Sequence, residues 1–252
     1  MTQTNQTREH EFACHDLAGT ATERAQFYRL LAAIFCQEPG KELLEQLRSR
    51  RVQNLLSQSG IELGDGFVKK PMHDLQEELS EEFTRLFLGP GKHISPHESV
   101  QLKRGSGTLW GDKTVLVKRF IEAAGFDYGH DFSGIPDHVS VELEFLALLT
   151  QAEADNWATG DQAAARNVLE WQLDFIARHA GKWVPRFCGK VAKEAKLPFY
   201  RVFSKFLVTF MTGEKAQISA CLHNDFPQGR DLPKTHPAAL DKPAIPAEQP
   251  QR

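Results

Sequence analysis

The residues best suited to do chemistry lie in one short stretch, where Asp137 and His138 follow Pro136 and Glu142 comes four residues after His138. Residues four apart share a face of a helix, so the His138 imidazole and the Glu142 carboxylate can converge. His179 could add a third ligand from another helix, which would make a metal-dependent hydrolase centred on these three residues. A catalytic metal needs about three ligands and supporting hydrogen bonds, and such pairs arise often by chance. We therefore favour a structural or partner-binding role and keep the hydrolase as an alternative.

Asp137 also lies near the start of the long helix that Pro136 is expected to open. A carboxylate there is stabilised by free backbone N–H groups and by the helix dipole, and losing such a cap costs about 1 kcal/mol. The helix that follows is apolar on several faces, so it should be largely buried. Polar groups kept on a buried helix need partners or a function.

A second stretch brings apolar, imidazole and carboxylate groups close together. An acidic amphipathic helix ends at Gly89, and a loop then reads Ser95-Pro96-His97-Glu98-Ser99. The carboxylates of Glu78, Glu81 and Glu82 on that helix fit a solvated face, as is typical of amphipathic helices.

Other patterns that could carry chemistry are weak. The turn Gly89-Pro90-Gly91-Lys92 lacks the spacing of a phosphate loop, and His93 stands where a Ser or Thr would hold magnesium. The four cysteines are scattered and form no CxxC pair, so neither disulfides nor a zinc site is indicated. We predict no catalytic residue, no cofactor and no resident metal.

A formal net charge of −3 argues against nucleic-acid binding through a broad basic surface.

The elements that must position these residues are helical. Residues 21–223 show helical periodicity almost throughout, which predicts an all-α single domain of about eight or nine helices. The polar composition of residues 1–20 indicates a flexible N-terminal arm. Residues 224–252 hold six of the thirteen prolines and predict an extended Pro-rich tail. The longest apolar run is Leu30–Cys36, too short to span a bilayer, and the polar N-terminus lacks an export signal. We therefore expect a cytoplasmic protein without stable membrane insertion.

The two stretches resemble the TorD/DmsD/NarJ family of redox-enzyme maturation chaperones, most closely its TorD/DmsD branch. The family pattern is a helix ending in aromatic-x-x-Leu-Phe-x-Gly, then a Pro-containing loop ending in Ser, then Pro-Asp-His opening a long helix. The matching segments here are Phe83–Gly89, Pro96–Ser99 and Pro136–His138, followed by His179 with Trp183, Phe187 and Phe199-Tyr200. The resemblance covers roughly residues 21–223, and the order and spacing of the motifs carry it.

The resemblance implies a chaperone that is not an enzyme and that binds the twin-arginine signal peptide and the apo-form of a molybdopterin oxidoreductase. It would hold this preprotein in the cytoplasm until the cofactor is inserted and then release it for export. The carboxylates of Asp137, Glu98 and Glu142 suit forked guanidinium groups, and His138 could orient Asp137 or contact the peptide. The other expected contacts are an apolar groove of Phe83, Phe87, Leu88 and Pro96, with His97 and Ser99 in the same loop.

The sequence departs from the family pattern at two places. His97 follows Pro96 where the family often has an aromatic residue, and Gly134 stands where an acidic residue often precedes Pro-Asp-His. The identity of the client molybdoenzyme therefore stays open. A general helical assembly adaptor that does not read a leader peptide is a further alternative. Helical domains with long loops can exchange segments, so a monomer and a homodimer both stay open.

Overall fold

The computed structural model describes residues 2–102, 109–128, 134–224 and 244–245. Its α-helices are α1 (Thr2–Cys36), α2 (Lys41–Arg48), α3 (Arg50–Gln58), α4 (Asp65–Val68), α5 (Met72–Phe83), α6 (Glu98–Leu102), α7 (Asp112–Ala123), α8 (Val139–Thr159), α9 (Gln162–Arg178), α10 (Ala180–Glu194) and α11 (Pro198–Asn224). A π-helical turn, Thr84–Leu88, continues α5. Two short strands, β1 (Asp127–Tyr128) and β2 (Ala244–Ile245), pair in parallel.

The all-α prediction is confirmed for the described part of the chain. The helix count exceeds eight or nine partly because α4 and α6 are only 4 and 5 residues long. Such single turns carry too few residues to show a repeating apolar stripe, so periodicity alone does not reveal them.

Residues 2–20 are helical and continuous with the rest of α1, and whether they form a flexible arm stays a prediction. Asp16, Leu17, Gly19 and Thr20 are exposed, so no apolar stripe marks the segment from 16 to 20 as a helix. Its composition of Gln, Glu, Arg and Ala nevertheless favours helix, and no proline interrupts it.

The core is built around α8. Helices α1 and α9 both pack against α8, and α10 packs against α11. Buried side chains run from Val139 to Trp157 around nearly all faces of α8, as expected for a central helix. The aromatic ridge on α11 is partly core, because Phe199 and Phe203 are buried. Phe210 packs edge-on against buried Tyr28 of α1.

Most of the predicted Pro-rich tail lies outside the described residues. The described pair Ala244–Ile245 is extended and aligns with Asp127 and Tyr128, and an extended tail stays a prediction.

Within the described residues, no helix is both long enough and apolar enough to cross a membrane.

Candidate functional site

The fold brings the two predicted stretches into direct backbone contact. The Glu98 N–H donates to the Asp137 carbonyl (3.0 Å), and the Val139 N–H donates to the Pro96 carbonyl (2.8 Å). His97 and His138 thus face each other in an antiparallel bridge. The loop before α6 and the entry to α8 form one unit.

A π-helical turn delivers the chain into this loop. The Gly89 N–H donates to the Thr84 carbonyl (2.6 Å), which closes the wide turn, and the Ile94 N–H then donates to the Leu86 carbonyl (2.7 Å). A Cβ at position 89 would meet the Thr84 carbonyl oxygen at 3.3 Å, so this position favours glycine. Single π-turns are often found at functional sites.

Asp137 is fully buried and anchors the starts of two helices. Its Oδ2 accepts the backbone N–H of Ser99 (2.7 Å), and its Oδ1 accepts the Thr114 hydroxyl (3.0 Å). The helix cap that the sequence suggested for Asp137 is made by His138 instead, because the His138 Nδ1 accepts the Ser140 N–H at the start of α8. Asp137 therefore joins α6 and α7 to the entry of α8.

Two further carboxyl groups, those of Glu98 and Glu142, are fully buried beneath this loop. The Glu98 Oε2 lies 3.0 Å from the His179 Nδ1, and the Glu142 Oε2 accepts the Trp183 indole N–H at 2.9 Å. The Oε1 atoms of both glutamates are buried and receive no hydrogen bond from the described residues. Burial, and then the charge of Glu98, raise the pKa of Glu142 well above its ordinary value. The neutral, protonated form of Glu142 is thereby favoured over its carboxylate.

Burial disfavours the charged form of both histidines at the bridge. Their ring centroids lie 4.9 Å apart, edge to face. Burial, and then the charge of neighbouring His97, lower the pKa of His138 to about 3. Burial also lowers the pKa of His97, although the charge of Asp137 opposes this. His97 is half-buried, so it is the histidine of this pair that reaches the surface.

The apolar residues predicted to form a groove have different environments. Phe83 and Phe87 are buried and pack together, and Phe87 also contacts Phe187. Leu88 keeps 44% of its surface exposed, and Pro96 is half-buried. The two phenylalanines belong to the core, whereas Leu88 and Pro96 are accessible to a ligand.

The proposed metal-binding arrangement does not form. His138 is held by Ser140, while Glu142 and His179 have Trp183 and Glu98 as their partners. Within the described ranges, no group of three or more His, Cys, Asp or Glu side chains is arranged to hold a metal ion. The hydrolase alternative therefore has no ligand set here.

The sequence interpretation missed the role of Glu82, which was expected on a solvated face. Glu82 is buried and its Oε1 accepts the backbone N–H groups of Lys196 and Leu197, while its Oε2 accepts Arg85. It thus fixes the turn between α10 and α11. Local spacing gives no signal for this contact, because its partners lie more than 110 residues away in the chain.

Comparisons with known proteins show what this chain is similar to. A family model described as nitrate reductase delta subunit matches residues 62–189. The chaperone protein TorD of Aliivibrio salmonicida is 28% identical over 200 residues, covering 75% of this chain and 91% of that protein. TorD of Aliivibrio fischeri is 28% identical over 208 residues, covering 78% and 95%. A solved redox enzyme maturation protein from Archaeoglobus fulgidus aligns with 73% of this chain and 93% of its own, at 22% identity and a TM-score of 0.46.

The family match spans half of the chain and contains both loops and every carboxyl group of the buried cluster. Relatives that align over most of their length are named TorD chaperones. The chain therefore belongs to the nitrate reductase delta subunit family, in its TorD/DmsD group of redox-enzyme maturation chaperones, and is not an enzyme.

Proposed function

We propose that this maturation chaperone binds the twin-arginine signal peptide and the apo-form of a molybdopterin oxidoreductase in the cytoplasm, and holds it for cofactor insertion before export. Family membership supports the general role. The observation that carries the proposal is the pairing of the Pro96–Glu98 and Asp137–Val139 segments over a buried polar frame. This pairing fixes a loop whose outer side presents apolar and imidazole groups.

The predicted contact residues divide into two groups by their exposure. Leu88, Pro96 and His97 reach the surface and suit the apolar helix-forming part of a leader. The other group is buried and holds the loop in place; its members are Phe83, Phe87, Glu98, Ser99, Asp137, His138 and Glu142. In this division the buried carboxyl groups act on the peptide through the loop that they position.

The arginine pair of the leader needs carboxylates that are accessible and not already neutralised. Glu38 and Glu81 are exposed, and the Glu38 Oε1 accepts the Thr84 hydroxyl (2.8 Å) of the π-helical turn that ends in Leu88. Neither glutamate forms an ion pair with a described residue. Carboxylates placed in this way can bind guanidinium groups in a forked geometry that lysine does not reproduce.

Isothermal titration with a synthetic leader peptide tests the proposal. We expect micromolar binding that falls at least about tenfold when both leader arginines become lysines. Leu88→Ser and the double change Glu38→Gln/Glu81→Gln should each weaken binding without changing the melting temperature. The matched control Glu42→Gln/Glu45→Gln removes two exposed carboxylates from α2 and should leave binding unchanged.

A leaderless client separates the two chaperone modes. If the client without its leader binds as tightly as the preprotein, the protein is a general assembly adaptor and the leader-binding proposal is wrong. If the leader peptide alone competes with the whole preprotein, the proposal holds.

A further inference from the structure

The solvent face of α10 carries an unusual row of positive charges. Lys182, Arg186 and Lys190 follow each other at intervals of four, and Lys193 comes one turn later. All four are exposed, and Glu194 is the one acidic residue in the helix. Like charges four residues apart destabilise a helix by about 0.2–0.5 kcal/mol per pair. We call these four side chains the α10 basic strip.

The central charges of the strip are held in place without being neutralised. An Arg186 guanidinium N–H donates to the Gln101 carbonyl (3.2 Å), and the Lys190 ammonium donates to the Gln101 side-chain oxygen (2.7 Å). Gln101 is buried on α6 and carries no charge. Burial and the nearby Arg186 charge lower the pKa of Lys190. None of the four strip cations forms an ion pair among the described residues.

Some basic residues elsewhere on the described surface have a carboxylate partner, whereas others, such as Arg51 and Lys205, are exposed and outside any ion pair among the described residues. Lys41, Lys69 and Lys118 each lie within 4 Å of a carboxylate four residues away in the chain. The α10 basic strip is therefore a region of surplus positive charge on a chain whose formal net charge is −3.

We propose that the α10 basic strip is a docking surface for an acidic helical segment of a partner protein, with carboxylates spaced at intervals of four residues. Lys182 to Lys193 spans roughly 17 Å along the helix axis, about the length of three turns of a partner helix. Pro185 and Gly189 lie exposed between the cations and leave the surface low enough for close approach. Charge complementarity thus selects the partner's chemistry.

Other polyanions fit this surface less well. The strip is one helix wide, whereas nucleic acids bind broad basic surfaces through several phosphates. Among the described residues, α10 exposes no large apolar side chain. The strip therefore offers no group to insert into a membrane. An arginine-rich leader would be repelled here, so this surface is distinct from the one proposed for the signal peptide.

The strip and the candidate site share one scaffold. Gln101, which holds Arg186 and Lys190, lies on α6 three residues after Glu98, and Trp183 of α10 binds Glu142. A partner docked on the strip would therefore lie beside the paired loops, where an acidic part of a client would gain from simultaneous contact.

Fluorescence anisotropy with labelled helical peptides tests the proposal on the full chain. One peptide of about 16 residues places Glu at i, i+4, i+8 and i+11, and a second has the same composition in scrambled order. We expect the phased peptide to bind at least about fivefold more tightly, with affinity falling as salt rises. Equal binding of the two peptides, or no binding at low salt, would overturn the proposal.

Paired variants separate the strip from overall charge. Arg186→Gln/Lys190→Gln should weaken binding of the phased peptide at least about tenfold. The control Lys41→Gln/Lys118→Gln removes two exposed cations, so it changes the net charge equally; it should have little effect. Equal losses would reject the strip. Tighter binding of the protein to anionic phosphatidylglycerol vesicles or to duplex DNA than to the phased peptide would also reject it. Leader-peptide affinity, measured in parallel, should not fall in the strip variant.

Discussion

Two buried polar clusters among the described residues differ in how their carboxyl groups are compensated: an arginine pairs with them in one, and no arginine or lysine does in the other. In the first, between α1, α8, α9 and α11, the Arg24 guanidinium donates to both oxygens of Glu214, to both oxygens of Glu153 and to the Gln172 amide oxygen. Gln172 in turn donates to Glu153 (2.8 Å). The carboxylates and the amide of this cluster find their partners within it and fasten the N-terminal helix to the rest of the domain. The buried Tyr28 hydroxyl beside them has no hydrogen-bond partner among the described residues.

The second cluster, beneath the paired loops, leaves acceptor capacity unused. Glu98 and Glu142 each have one partnered and one unpartnered oxygen; the partners are the His179 imidazole for Glu98 and the Trp183 indole for Glu142. Buried carboxyl groups with too few donors must either hold a proton or receive a donor from outside. The comparison teaches that two clusters can be equally buried and still differ in whether their carboxyl groups receive a cation and enough donors.

The largest expected change in stability follows from a substitution in the first cluster, at Arg24. Arg24→Met would leave Glu153 and Glu214 buried without their cation, so the free energy of unfolding should fall by about 3–5 kcal/mol. Urea denaturation measures this change. The exposed-site control Lys41→Met should change stability by less than about 0.5 kcal/mol. A similarly small loss of stability for Arg24→Met would mean that the cluster does not contribute this stability.

The next effect concerns the anchor beside the second cluster. Asp137→Ala removes two hydrogen bonds to a buried carboxylate, each worth roughly 1.5 kcal/mol, so unfolding should become easier by about 3 kcal/mol. This exceeds the 1 kcal/mol expected of a helix cap. Thr114→Val removes one of the two bonds and should cost about half as much. Equal, small losses for both variants would contradict the anchoring role.

A matched tryptophan pair compares the two clusters directly. Trp183→Phe removes the one N–H donor that the described structure gives Glu142, whereas Trp157→Phe removes one of several donors to Glu153. We expect Trp183→Phe to cost about 1–2 kcal/mol more than Trp157→Phe. Thermal denaturation of both variants at one pH shows which one loses more stability. A larger loss for Trp157→Phe would contradict the proposed difference between the two clusters.

The most specific effect is that the stability difference between Glu142→Gln and the wild type depends on pH. This difference should be small under acidic conditions. Because the folded-state pKa of Glu142 is raised above 4.5, its protonated form stabilises the fold at low pH, and this contribution is lost as pH rises through the folded pKa. Glu142→Gln keeps the shape without the titration. Its stability relative to the wild type should therefore grow as pH rises above 4.5. Glu77→Gln, at an exposed position, is the control, and a difference independent of pH would contradict the raised pKa of Glu142.

Much of the candidate site could be predicted, but not what each residue does there. The stretches Pro96–Ser99 and Pro136–His138 stood out because polar groups and prolines interrupt apolar helical patterns, and the fold does bring them together. The roles differ from expectation: His138 caps α8 and Asp137 ties other helices to it. Both are polar residues near a helix start, and only the path of the neighbouring chain decides which one turns inward.

The sequence by itself determined the helical architecture, because the spacing of apolar residues and the positions of proline and glycine act over a few residues. Tertiary structure alone decided which charges are buried and with whom they pair. Glu82 and Glu81 are neighbours on α5, yet Glu82 meets the N–H groups of a turn more than 110 residues away while Glu81 remains in solvent. Desolvation and hydrogen-bond satisfaction depend on contacts between distant parts of the chain, and no local pattern encodes them.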